Sequence, residues 1–433
     1  MDLRRSDRLS ATEGKMEAIV ERCCGLDVHQ ASVVACLLVG RAGPKPRKEV
    51  RTFGTTTREL LELRDWLASE GCTQVGMEST GVYWMPVYAV LEDQFELVVG
   101  NARQIRNVPG RKTDVKDSEW IADLLRHGLI PKSFVPPKPI RELRGLLRYR
   151  RKVIEARTAE RNRLLKLLET ANIKMASVVS DVFGVSGMLM LKAIIDGHPT
   201  PEQMAQLARG SMRKKIDLLV PALEGRVEEH HRFILRLQLR RLEHADADVT
   251  ELDARIDQKL EPYAKQHQLL KEIPGVERTL AATLLAELGT DMTVFHGPTQ
   301  LASWAGVCPG NNESAGKRSS GRTRKGNIYL KTALIEAAVG ASRKKGSYLK
   351  DKYWKLKSRR GPKRAAMAIA HKILIAVFHM LATGASYRDL GEAFLDRLDT
   401  SRTVHALKRR IERLGYAVHL EQTPPALPPP TIA

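Results

Sequence analysis

Between Glu21 and Phe134 the apolar positions come in short runs separated by polar and glycine-bearing turns. Arg22–Val28 and Ala31–Val39 read as adjacent strands, with Lys48–Phe53 a third, because each run is short and bounded by turn residues. The period then changes. Over Thr56–Ser69, Leu60, Leu61, Leu63, Trp66 and Leu67 recur on one side of a helix. Thr73–Met77 and Phe95–Val99 read as buried strands, with a helix near Trp84–Leu91 between them.

The order strand, strand, strand, helix, strand, helix, strand, helix matches a ribonuclease H-like α/β domain, placed over residues 20–135. Pro136, Pro137 and Pro139 mark a linker. Ile140–Thr170 follows as a long basic helix carrying Arg148, Arg150, Arg151, Arg157, Arg161 and Arg163. Residues 171–225 read as an insertion of shorter helices punctuated by glycine and proline. His230–Leu260 is one long helix, about 45 Å if continuous. Its Leu242, Ala245, Val249, Leu252, Ile256 and Leu260 form a coiled-coil-like seam. That seam pairs either with Ile140–Thr170 or with another subunit. The expected architecture is therefore α/β plus α: the ribonuclease H-like domain, a helical coiled-coil region over 136–265, and a mainly helical C-terminal domain over 266–390. Residues 1–19 read as a disordered leader, with Met16 a second candidate start, and 391–433 as a tail that is Pro-rich from Thr423 to Pro430.

Composition narrows the partner. With 71 Lys and Arg against 50 Asp and Glu, the net charge of +21 suits a polyanion, nucleic acid before membrane. No apolar run in the sequence reaches the roughly 18 residues of a membrane span; Ile373–Ala382 is shorter. Five scattered cysteines, Cys23, Cys24, Cys36, Cys72 and Cys308, lack metal-ligand spacing and suit reduced thiols in the cytoplasm.

Four acids stand out in this basic chain. Asp27 lies in the first strand, Glu78 ends the fourth, and Asp114 and Asp117 open the helix that follows. An acid set into an apolar strand costs several kcal/mol to bury unless a cation or donor compensates it. Asp114 and Asp117, three residues apart, lie about 60° apart on a helix and face one way. Asp123 is about 180° from Asp114 and points elsewhere. The set suggests a divalent-metal site working on nucleic acid. The plainer reading of Asp114 and Asp117 is a helix N-terminus, which acids favour.

The charge concentrates late in the chain. From Asn311 to Arg364 there are 17 Lys and Arg against three acids, a balance of +14. Gly316, Gly321 and Gly326 recur every five residues among Lys317, Arg318, Arg322, Arg324 and Lys325, and Tyr329, Tyr348, Tyr353 and Trp354 are interleaved. Such a segment holds a phosphate backbone and stacks bases; the alternative is a solvated linker. Ile273-Pro-Gly-Val276 before the apolar helix Leu280–Leu288 resembles a helix-hairpin-helix element, or is an ordinary helix connection.

Gly25-Leu-Asp-Val-His, Met77-Glu-Ser-Thr-Gly-Val-Tyr-Trp and Lys112-Thr-Asp-Val-Lys-Asp-Ser-Glu resemble the Asp-Glu-Asp-Asp domain of bacterial insertion-sequence transposases of the family numbered one hundred and ten. Cys308-Pro-Gly-Asn-Asn-Glu-Ser-Ala-Gly-Lys followed by Arg324-Lys-Gly-Asn is similar to that family's C-terminal domain, and the resemblance covers residues 20 to about 390. It implies a RuvC-like first domain, a coiled-coil connection and a C-terminal serine domain, in a DNA transposase and recombinase guided by a structured bridge RNA. Asp27, Glu78, Asp114 and Asp117 would hold Mg²⁺, and Ser314, by its place in the motif, would be the nucleophile. A homo-oligomer, dimer or tetramer, is expected, because recombination joins two duplexes while the chain has one acid set and one serine motif. Expected nucleic-acid contacts are Lys317, Arg318, Arg322, Arg324, Lys325, Arg148, Arg151 and Arg157. Two other readings stay open: a RuvC-type metal-dependent junction nuclease in which water attacks, and a non-enzymatic basic coiled-coil protein that organises nucleic acid.

Overall fold

The computed structural model describes residues 18–41, 45–108, 116–197, 199–309, 312–314, 317–320, 322–323 and 325–421. The chain divides into two compact units, up to Val135 and from Pro136 onward.

The first unit is a mixed five-stranded sheet in the order β3-β2-β1-β4-β5, built from β1 (Arg22–Val28), β2 (Ser32–Val39), β3 (Arg47–Gly54), β4 (Gln74–Glu78) and β5 (Glu96–Gly100). β1 pairs antiparallel with β2 and parallel with β4, and β4 pairs parallel with β5, consistent with the ribonuclease H-like expectation. Both faces are covered, as parallel strands require. On one face Cys24, Leu26, Val75, Met77, Leu97 and Val99 pack against helices α1 (Thr57–Ser69) and α2 (Trp84–Leu91). On the other, Cys23, Cys36, Leu38 and Val98 meet α3 (Ala102–Arg106) and α4 (Asp117–Arg126) through Ile105, Trp120, Ile121, Leu124 and Leu125. α1 starts on a capping box, in which Thr56 Oγ1 accepts from the Glu59 N–H and the Glu59 carboxylate accepts from the Thr56 N–H. The four cysteines of this unit are buried free thiols; burial pushes Cys23 and Cys72 up to about 12 and Cys36 to about 11.

Among the described residues, the second unit is helical apart from one small hairpin. α5 (Lys138–Thr170) and α10 (Glu229–Leu260) run antiparallel, tied by Arg150 to Asp253 at 2.7 and 2.9 Å, Arg157 to Asp246, and Lys259 to Glu142. Between them in sequence come α6 (Met175–Val178), α7 (Val185–Asp196), α8 (Pro201–Ala205) and α9 (Ile216–Leu223). These close a core of Met175, Met190, Leu191, Ile194, Leu219 and Leu223 with Leu164 and Leu168 of α5 and Leu235, Leu239 and Leu242 of α10. The residues read as an insertion thus share one core with the ends of the two long helices.

The remainder comprises α11 (Ala264–Leu270), α12 (Arg278–Leu288), α13 (Pro298–Trp304), the hairpin of β6 (Asn312–Ser314) and β7 (Lys317–Ser320), α14 (Ile328–Ala341), α15 (Tyr348–Arg360) and α16 (Pro362–Thr383), followed by α17 (Phe394–Arg397) and α18 (Thr400–Glu412). α16 corrects one sequence expectation: at 22 residues it is long and apolar enough to cross a membrane. Its Ala365, Ile369, Ile373, Leu374 and Val377 are buried inside the unit, as in a core helix. The Pro-Gly turn is also accounted for by packing. Gly275 has φ +84°, and a Cβ there would fall 2.2 Å from the Ala337 carbonyl oxygen and 2.4 Å from the Ala341 nitrogen of α14. The glycine lets two backbones touch, as close packing of an ordinary helix connection requires.

Candidate active site

Asp27 is the penultimate residue of β1 and Glu78 the last of β4. The parallel register sets Gly25 beside Gly76 and Leu26 beside Met77, so the two acids fall one step further along neighbouring strands. Successive side chains alternate across a sheet. Asp27 therefore shares a face with Cys23 and Gly25, and Glu78 with Gly76. α4 identifies that face. A Cβ on Gly25 would lie 2.3 Å from both the Ser118 oxygen and the Ala122 nitrogen, and one on Gly76 would meet Ile121 and Leu125. Two side-chain-free positions let α4 lie directly on the sheet, and its first residue is Asp117. Asp27 and Glu78 thus emerge at the strand ends on the face that α4 covers, with Asp117 in the first helical turn.

The surroundings are polar but not neutralising. Asp27 is 26% exposed and lies 3.1 Å from His29 Nε2; Glu78, half-buried, accepts from Thr80 Oγ1. Among the described residues neither of these two carboxylates has a Lys or Arg partner within 4.0 Å. Oxygen donors on neighbouring strand ends, without such a cation to offset them, fit a hard divalent ion. Asp27, Glu78 and Asp117 do not all lie within 4.8 Å of one another, so gripping one ion would require their side chains to close. Asp114 lies outside the described residues. Asp123 is exposed and paired with His127 at 3.5 Å, away from this set as expected.

A different trio, Glu228, His230 and His231, does bring its ligand atoms within 4.8 Å. Its geometry is that of a helix start: His231 Nδ1 accepts from the Glu228 N–H at 3.2 Å in the capping box of α10.

In the second unit, Ser314 ends β6 and pairs with Lys317 of β7, so its backbone belongs to a hairpin strand. Lys317 and Arg318 are likewise described through their backbone, and Arg324 lies outside the described residues. The base of the hairpin is closely held. Pro309 bridges Thr323, and a Cβ on Gly326 would sit 2.6 Å from the Ala305 carbonyl carbon and the Gly306 nitrogen. Arg322 and Lys325 are exposed.

The expected nucleic-acid contacts on α5 already have protein partners, Arg148 inside the unit and Arg151 and Arg157 in exposed ion pairs. Arg148 donates from Nε and Nη2 to Glu287 at 2.8 Å each and lies 4.3 Å from the Tyr329 ring centroid, so its guanidinium has a role inside the unit. Arg151 pairs with Glu155 and Glu336, and Arg157 with Asp246. The aromatic interleaving is also mostly core. Tyr348 and Tyr353 are buried and Tyr329 is covered by Arg148, leaving Trp354 half exposed with Lys357 over its ring. Helical periodicity in α15 was the available signal: Tyr348, Leu349 and Tyr353 recur on one side.

A carboxylate-bearing ribonuclease H-like sheet joined to a basic helical unit with a glycine-rich hairpin defines a class of nucleic-acid-processing proteins. Residues 24–173 match the DEDD transposase profile of IS110-type elements, and residues 267–354 match the profile described as transposase of the IS116/IS110/IS902 family. The chain belongs to this transposase family, whose members are DNA-recombining enzymes. It is similar to the transposase for insertion sequence element IS1111A of Coxiella burnetii, 25% identical over 294 residues, spanning 65% of this chain and 70% of that protein. A putative transposase of Sinorhizobium fredii, y4pF/y4sB, is 32% identical over 128 residues, 28% of this chain and 32% of its own length.

Proposed function

We propose that this transposase cuts and rejoins DNA by transesterification at Ser314, assisted by a divalent cation, Mg²⁺, held by Asp27, Glu78, Asp114 and Asp117. The observation that carries the metal half is the emergence of Asp27 and Glu78 on one face of adjacent parallel strands, beside the helix that begins at Asp117. A bound divalent ion would polarise the scissile phosphate and stabilise charge on the attacking and leaving oxygens. Asp27 and Glu78 would orient it, with His29 and Thr80 holding the two carboxylates.

In the serine half, the Ser314 hydroxyl attacks the scissile phosphorus as its proton leaves to a base. The bond to the leaving 3′- or 5′-oxygen breaks, and a phosphoserine diester forms. A DNA hydroxyl then attacks that phosphorus, the serine oxygen leaves and regains its proton, and a phosphodiester is restored. One phosphoester bond is exchanged for another at each step, so no nucleotide hydrolysis is required. Lys317, Arg318, Arg322, Arg324 and Lys325 would offset charge on the phosphate. Sequence choice would come from base pairing with a structured bridge RNA, while the protein reads backbone and shape. Joining two duplexes with one serine per chain calls for a homo-oligomer.

The test is the covalent adduct. Ser314→Ala should abolish the protein–DNA link and strand exchange while nucleic-acid binding survives. Mass spectrometry of a trapped intermediate that places the nucleotide on Ser319 or Ser320, or cleavage with no protein attached, sinks the assignment. The second outcome favours the water-using junction nuclease.

A further inference from the structure

Glu287 is the penultimate residue of α12, and its side chain is 2% exposed. A carboxylate at a helix C-terminus opposes the helix dipole, and burying one is costly without full hydrogen bonding. The stability of α12 therefore does not explain it. Its partners do. Arg148 of α5 forks onto both oxygens, Arg144 approaches Oε2 at 3.4 Å, and Asn327 Nδ2 donates to Oε2 at 2.6 Å.

Asn327 is used at both ends. Its Oδ1 accepts from the Tyr329 and Leu330 N–H groups at 3.1 and 3.2 Å, capping α14, while its amide nitrogen is the donor to Glu287. The network fixes which way the amide points. Asn327 is also where the basic hairpin segment re-enters the helical core. Immediately before it, Gly326 presses on the backbone of Trp304–Gly306. Just after it, Lys331 Nζ donates to Thr323 Oγ1 at 2.6 Å. Thr323 in turn bridges Pro309 on the entering side. The exit stem is thus tied to the buried carboxylate through Asn327, and the entering stem to the exit stem through Pro309 and Thr323.

We infer that Glu287, locked by Arg148, is a positioning residue that sets the serine hairpin through Asn327; this rests on the serine reading above. Glu287 touches neither phosphate nor nucleophile in this role. It fixes the exit stem, and with it where β6 and β7 present Ser314.

The experiment uses the full-length protein with a plasmid carrying the insertion sequence and its flanking noncoding DNA. Asn327→Ser keeps an N-cap oxygen but loses the amide donor. It should melt within about 2 °C of wild type and bind nucleic acid unchanged, yet form adduct roughly 10- to 100-fold more slowly. Asn327→Asp keeps the cap and sets carboxylate against carboxylate, and should be at least as slow. The pair Asn327→Asp with Glu287→Gln reverses this donor and acceptor at constant charge; the new amide takes one acceptor oxygen from the Arg148 fork, so the pair should recover part, not all, of the rate lost in Asn327→Asp. Single variants that react at the wild-type rate overturn the inference. So do rates that only follow melting temperature, with no recovery in the swapped pair. If the wild type cuts DNA without becoming attached, the serine reading fails separately; free-end release then replaces adduct as the readout, and the swap is judged in the same way.

Discussion

Gly25→Ala tests the geometry of the acid set without touching an acid. The added Cβ would lie 2.3 Å from the Ser118 carbonyl oxygen and the Ala122 nitrogen, where ordinary contact begins at 3.4 Å. α4 must therefore retreat from β1 by about 1 Å, because both obstructing atoms are backbone and cannot rotate away. Overpacking of this kind costs about 1–3 kcal/mol, or a few degrees of melting temperature in a domain of this size. The larger effect falls on chemistry. Asp117 is carried on α4 while Asp27 stays with the sheet, and a misplacement near 1 Å can cost on the order of 100-fold in rate. Thermal melting and strand-cleavage kinetics should be measured beside Gly145→Ala. That glycine is helical, its added Cβ would meet nothing within 4 Å, and the change should be neutral or slightly stabilising. Should Gly25→Ala melt and cleave like wild type, α4 does not bear on β1 as described, and the acids are not gathered on one face by it.

Asp27→Asn and Glu78→Gln should each lower cleavage more than about 100-fold while leaving the fold and nucleic-acid binding intact; wild-type rates that also ignore chelator would show the metal site is misassigned. Neutralising Arg322, Arg324 and Lys325 together should weaken binding to unrelated sequences alike and flatten its salt dependence, read as the slope of log affinity against log salt. The buried thiols of Cys23, Cys36 and Cys72, pushed up to about 12, 11 and 12, should resist a thiol reagent at pH 8 in the native protein and react on unfolding. Because these thiols ionise near 9 when unfolded and not when folded, stability of the first unit should fall as pH rises above 9, measured by denaturant midpoints. A midpoint flat from pH 8 to 10 would contradict their burial.

Periodicity marked the five strands, α1 and α2 of the first unit and the two long helices, because strands and helices bury one side at distinct repeats of two and 3.6 residues, but it missed the five-residue α3. It also marked Asp27 and Glu78, since a carboxylate at the end of an apolar strand contradicts its neighbours. Their shared face was not legible. It depends on which residue of β1 lies beside which residue of β4, and on two glycines that admit α4, and register between distant segments is a tertiary property. Charge was the least readable signal. Arg148 reads in the sequence as one more cation of a basic helix, but it is consumed by a buried Glu287 that lies 139 residues away along the chain. Tyr348 and Tyr353 likewise read as a stacking surface and became core. Whether a cation or an aromatic ring faces solvent is decided by what the fold packs against it, and local sequence does not hold that information.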